Sequence, residues 1–427
     1  MSGNIFKINY IKHYLENGLE IILFQDKSVP TVSVNIWYKV GSANETLGKT
    51  GFAHLFEHMM FQGSKHVPKE GHFKFIEEAG GSLNGSTSFD RTNYYETVPA
   101  NYLELALWLE SDRMGFLLPS LTREKLDNQK EVVMNERRQR YENQPYGLAW
   151  ELIFSNLFPA GHPYSWPTIG WMKDIENFSL QDVKEFFNKY YKPSNATLVV
   201  GGNFDKEDAL ELIGKYFGDI PGSEKPELPA ADPVSLTESK KIIHPDNIEL
   251  PRIYLAWHSD KIFGEDDASL DILADALSSA KSSRLQKSLV FEKQIAQDVS
   301  AFQFSARLAG AFIIVATAKP GVSTTELKTE IFNQVNQLKE NGITFEELER
   351  AKNSIKSHYV YSLQKIDTIA DQLNLYNFHL GEPDSFEYDL ARYSNVNCTK
   401  VRETAHKYLS DKYVELHIVP KEGGLNV

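Results

Sequence analysis

Two histidines four residues apart, with a glutamate directly before the second, form the stretch His54-Leu55-Phe56-Glu57-His58. On a helix, positions i and i+4 share one face at successive turns, so both imidazoles can reach a single ion. A hydrolytic zinc site takes three protein ligands and keeps a further position for water. Glu57 lies close enough to that position to take a proton from the water, so the pattern reads as metal-assisted hydrolysis with Glu57 as general base. The third ligand must be acidic or imidazole and must come from another helix. The segment TREKLDNQKEVVMNERRQRYEN, residues 122–143, supplies Glu136 and Glu131 as leading candidates, with Glu124 and Glu142 less central. Phe52, Leu55, Phe56, Met59, Met60 and Phe61 surround the motif with apolar side chains. Burying three such polar groups with no ion is costly unless they pair internally.

The elements that must position these groups follow from periodicity. LEIILF (19–24) and TVSVNIWYKV (31–40) read as strands, GSANETLG (41–48) punctuates, and a helical period starts near Gly51. A helix over 69–80 stops at Gly80-Gly81, and 82–98 alternates as a strand or hairpin in which Asn84-Gly85 could be the turn. Helices are expected over 101–115, 122–143 and 179–191, and ATLVVGGNF (196–204) closes the unit as a strand. The stretch 219–235, rich in Pro, Gly and acidic residues, reads as a linker, giving a catalytic domain over 1–218 and a second domain over 236–427.

The second half restarts the plan: IYLAWHS (253–259) matches VNIWYKV (34–40), and KYVELHIVP (412–420) stands where ATLVVGGNF stands in the first half. A shift of 217 places Asp271 at His54, Ala274 at Glu57 and Asp275 at His58, so one zinc ion (Zn2+) per chain is the expected cofactor count. His66 and His72 flank a helix start and read as surface residues.

Length and composition bound the alternatives. With 427 residues, 41% of them hydrophobic, the chain can build more than one core. Against 58 acidic residues, 45 basic ones leave a net charge of -13 and no basic stripe, which argues against nucleic acid as a partner. The lone cysteine, Cys398, excludes an intrachain disulfide framework. No run approaches the roughly 18 apolar residues of a membrane span. With no signal peptide in view, a cytoplasmic location is expected if the N-terminus is native, and a periplasmic one if a signal was removed.

HLFEHMMFQGS, GGSLNGSTSFDRTNYYETV, LDNQKEVVMNERRQR and GHPYSWPTIG closely resemble the pitrilysin and insulinase family, in the branch of bacterial processing-type zinc proteases and the mitochondrial processing peptidase. The resemblance implies an α+β fold of two homologous αβ lobes, each a mostly antiparallel sheet with helices packed on it. It implies a zinc metalloendopeptidase acting on short or unfolded polypeptides, with Glu136 as third ligand. Gln129 stands where the family has a glutamate that orients the site; it can hydrogen-bond but adds no charge. Leu83, Asn84, Gly85 and Ser86 fall on the strand edge that binds peptide in the family. His162 and Tyr164 lie in a structured loop near the active half and need not touch metal. Active relatives also use an Arg and a Tyr of the second domain, which here are Val290 and Gln297; Lys293 and Arg307 are near but at the wrong offsets. Oxyanion donors are rarely discarded without replacement. The partner implied is therefore a homologous subunit bearing Arg and Tyr, the alternatives being a stand-alone homodimeric peptidase or a noncatalytic scaffold like respiratory-complex core subunits.

Overall fold

The computed structural model describes residues 7–421, which fall into two compact units. The first is built on a six-stranded sheet of β1 (Tyr10–Tyr14), β2 (Glu20–Gln25), β3 (Thr31–Tyr38), β4 (Ser82–Thr87), β5 (Thr92–Pro99) and β6 (Ala196–Gly202), in the order β1-β2-β6-β3-β5-β4. β2 and β6 are parallel and every other pair is antiparallel. The near-continuous apolar runs of β2, β3 and β6 are buried along almost their whole length, as central strands covered on both faces require. β4 stands at the edge, with exposed and half-buried positions.

Register separates the two faces of this sheet. Ile36, Tyr94 and Gly85 lie opposite one another across β3, β5 and β4, as do their neighbours Asn35, Tyr95 and Asn84. Tyr94 Oη donates to Phe56 O at 3.2 Å, which puts helix Phe52–Met59 on the first face. Arg113 of helix Leu103–Phe116 lies over the Tyr94 ring and shares that face. Asn35 Nδ2 donates to Asp371 Oδ1 at 3.1 Å, which puts helix Ile366–Leu380 on the opposite face.

The second unit carries β7 (Lys240–Asp246), β8 (Arg252–Ser259), β9 (Ala296–Ser305), β10 (Gly310–Ala318) and β11 (Val414–Pro420) in the order β7-β11-β8-β10-β9. Again a single parallel pair, β7 with β11, joins antiparallel neighbours. Setting β1 aside, the two sheets have the same strand order, which is the repetition legible between the halves of the sequence. The core of this unit gathers Leu255, Trp257, Leu273, Phe312, Ile331 and Val401.

The units are not cut from the chain at one point. The first takes residues up to 137, then 166–229 and 360–387; the second takes 138–165, 230–359 and 388 onward. The expected boundary at 219–235 separates the sheets, yet helix Ile366–Leu380 packs Ile369, Ala370, Leu373 and Tyr376 into the first unit. A Pro- and Gly-rich stretch marks where the backbone crosses, whereas this exchange depends on side-chain packing between distant segments. Among the described residues, no helix is long and apolar enough to cross a membrane.

Candidate metal centre

Helix Phe52–Met59 starts at Gly51, whose φ of 93° and contact with Ile169 both call for glycine, since a Cβ there would stand 2.5 Å from Ile169 O. Its first amides are held by Glu45, which accepts from Gly51 N at 2.9 Å and Ala53 N at 2.8 Å. Trp166 Nε1 donates to the same carboxylate at 3.1 Å. Burial pushes Glu45 up to about 8 against the pull of these three donors. A carboxyl group at a helix start thus fixes the axial position of the two imidazoles that follow.

The His54 and His58 rings stand 4.9 Å apart at 70°. Glu136, from the last turn of helix Arg123–Arg137, brings Oε2 to 3.2 Å from His58 Nε2 and 3.7 Å from His54 Nε2. One ligand atom from each residue lies within 4.8 Å of the others, the single such group of three among the described residues. Zinc bonds of about 2.0–2.2 Å in a tetrahedron set donor atoms roughly 3.3 Å apart. Two imidazoles and a carboxylate at this spacing therefore fit the ion that the sequence implies. Glu131, on the same helix, is exposed and is not brought to the group.

Glu57 is half-buried beside this cluster, and its Oε2 accepts from Thr87 Oγ1 at 2.6 Å. Burial raises its pKa above the ordinary carboxylate value, opposed by the Thr87 bond and by His58. Gly85 lets β4 come this close: a Cβ there would sit 3.3 Å from Glu57 Cγ. Leu83, Asn84, Gly85 and Ser86 all lie within edge strand β4, so Asn84-Gly85 is strand and the chain reverses between Thr87 and Thr92. Gln129 is buried, and its amide donates to Asn128 Oδ1 at 3.1 Å rather than to the ligand carboxylate.

Other residues find structural places. His162 stacks on Phe158 with ring centroids 4.6 Å apart, and Tyr164 Oη accepts from Leu308 N. His72 is a correction to the surface reading: it is 1% exposed, pairs Nε2 with Leu109 O, and is pushed down to about 3 by burial. Its apolar neighbours, Phe61 among them, are brought in by tertiary packing, which spacing does not reveal. Val290 packs against the second core, Gln297 is exposed at the start of β9, and Lys293 is engaged by Glu330. In the second unit the counterpart helix, Asp267–Ser278, uses Asp271 to accept from Tyr393 Oη at 2.7 Å and Asp267 to pair with Arg392 at 2.9 Å. A hydrogen bond thus occupies Asp271, the acidic position where the first unit has His54. Glu45 and Thr87 were not singled out by the sequence; an acid six residues before the glycine that opens the ligand helix is the signal for Glu45.

Comparison with known proteins places this arrangement. Residues 20–162 match the Insulinase (Peptidase family M16) model and residues 177–355 the Peptidase M16 inactive domain. The zinc protease PqqE of Helicobacter pylori is 32% identical over 361 residues, covering 83% of this chain and 80% of that one. The chain belongs to the insulinase family of zinc metallopeptidases, peptidase family M16. It is also 24% identical over 417 residues to the zinc protease YmxG of Bacillus subtilis, covering 96% and 98% of the two chains. A crystal structure of a protease from Helicobacter pylori superposes with a TM-score of 0.91 at 27% identity, covering 97% of this chain and all of that one.

Proposed function

We propose that this chain is the zinc-bearing subunit of an endopeptidase for short or unfolded polypeptides, with His54, His58 and Glu136 holding one zinc ion. The observation that carries the reading is the Glu57 carboxylate, wedged between this ligand group and the edge strand β4. When bound, zinc supplies a Lewis acid that brings the pKa of water toward neutrality. Glu57 takes the proton from the attacking water and returns it to the leaving amine. Thr87 holds Glu57 Oε2, so the other carboxylate oxygen is the one that works as base. An extended peptide adds to the outer edge of β4 through main-chain hydrogen bonds, with Leu83, Asn84, Gly85 and Ser86 as its counterpart.

The second half supports a divided enzyme. Val290 has no donor, Gln297 lacks the rigid phenol, and Lys293 is held by Glu330. A homologous subunit then supplies the Arg and Tyr that grip the peptide and stabilise the oxyanion. Cleavage of an unstructured-peptide library is measured with zinc-loaded protein, alone and with a family member encoded beside it. Activity only with the partner is expected. Full activity alone points to a homodimer or monomer, and silence in both settings points to the scaffold reading.

Metal removal gives an independent check. An ion present at a hundred times its Kd stabilises the folded chain by about 2.7 kcal/mol. Chelation is expected to lower the thermal midpoint, zinc to restore it, and Glu136→Ala to abolish the difference. Scanning fluorimetry with metal quantification measures both; a midpoint indifferent to zinc in the unaltered protein sinks the assignment.

A further inference from the structure

We infer that a cavity on the opposite face of the first sheet from Glu57 is a pocket for a lysine or arginine side chain of the bound peptide. This deepens the reading of β4 as the peptide-binding edge and rests on it. The pairs Gly85–Tyr94 and Thr87–Thr92 lie on the Glu57 face, while Asn84–Tyr95 and Ser86–Asn93 lie on the other. A strand added to the β4 edge alternates in the same way. If one of its side chains points to the Glu57 face, the next points to the face where the cavity opens.

The cavity has a volume of 290 Å3, and its walls include Ser86, Arg91, Tyr95, Asp367, Thr368 and Asp371. All belong to the first unit. Its one guanidinium is engaged: Arg91 Nη1 donates to Ser86 O at 2.9 Å and Ser86 Oγ at 2.6 Å, and the group lies 5.2 Å from the Trp37 ring centre. Asp371 is fixed through one oxygen, Oδ1, which accepts from Trp37 Nε1 at 2.9 Å, Asn35 Nδ2 at 3.1 Å and Asn93 Nδ2 at 3.2 Å. None of the described residues donates a hydrogen bond to its Oδ2. Asp367 Oδ1 accepts only from the amide and hydroxyl of its neighbour Thr368. Two carboxylates against one guanidinium leave the lining with an excess of acidic groups. A long aliphatic stem ending in a cation suits that balance, with Tyr95 as a surface for the stem. The pocket is preorganised because three buried or half-buried donors, on β3 and β5, hold Asp371 before any peptide arrives.

The test uses full-length, zinc-loaded Glu57→Gln protein, which holds peptides without turning them over, and fluorescent peptides that differ at one position between Lys, Arg, Gln and Glu. Binding is read by anisotropy, and turnover of the same peptides is measured with the unaltered enzyme. At one position of the peptide, Lys and Arg are expected to bind roughly tenfold tighter than Gln, with Glu weakest. Asp367→Asn is expected to reduce this ratio, and Asp367→Lys to reverse the order of Lys and Glu. Thermal midpoints establish that both variants are folded, and Asp367→Asn, nearly isosteric, serves if the lysine variant is not. Binding with no charge preference at any position, or a preference unmoved in a folded Asp367 variant, overturns the pocket whatever the turnover. Selective binding that depends on Asp367, with no turnover by the unaltered enzyme, leaves the pocket standing and removes the peptidase reading.

Discussion

Glu57→Gln is expected to lower kcat/KM for peptide hydrolysis by about 100- to 10,000-fold, while zinc stoichiometry and thermal midpoint stay at their unaltered values. Glutamine has the size of glutamate, and its amide oxygen can still accept the Thr87 hydroxyl that meets Oε2 at 2.6 Å. What it cannot do is take a proton. The substitution therefore separates proton transfer from metal holding, because His54, His58 and Glu136 keep their own donor atoms. Paired measurements of hydrolysis and bound zinc decide the matter. A loss below tenfold would remove Glu57 from the role of base. Loss of zinc along with activity would instead show that Glu57 helps to hold the ion.

Much of this centre was legible because its chemistry is local. His54, Glu57 and His58 lie within one and a half helical turns, and the strand before them and the glycine at 51 announce the helix start. Glu136 was harder, since residues alone left Glu131 open; the choice turns on which helix face meets helix Phe52–Met59, and only packing sets that. The strands β2, β3 and β6 were visible, because burial on both faces writes continuous apolar runs into them, whereas their order in the sheet was not. The exchange of helix Ile366–Leu380 into the first unit was not legible. Its apolar stripe, Ile366, Ile369, Ala370 and Leu373, would suit either sheet, and the distinguishing contacts are polar ones from Asp371 to residues more than 270 positions away. The same holds for Glu45, whose three donors come from positions 51, 53 and 166 and converge only in the folded chain.

Arg113→Met is expected to destabilise the first unit by about 3–5 kcal/mol, the usual result of leaving a buried carboxylate without its partner. The Arg113 side chain is 1% exposed and pairs with Glu110 through two nitrogens, with Nε to Oε2 at 2.9 Å. Its guanidinium also lies over the rings of Tyr94, at 4.1 Å, and Phe61, at 5.2 Å. Glu96 is buried alongside, and burial together with Glu110 pushes its carboxyl well above the usual range, which favours its protonated form. Methionine fills much of the volume but gives Glu110 no partner. Adding Glu110→Gln to Arg113→Met is therefore expected to recover part of the loss, a coupling that urea unfolding of the two single variants and the double variant would measure. A double variant as unstable as the sum of the singles would mean that the pair contributes packing only. The centre itself is tied to this network, since Tyr94, under the guanidinium, donates its hydroxyl to Phe56 O in the helix that carries His54 and His58. Weaker zinc retention in Arg113→Met, restored in step with stability by the second change, is the expected sign that the buried charges hold that helix in place.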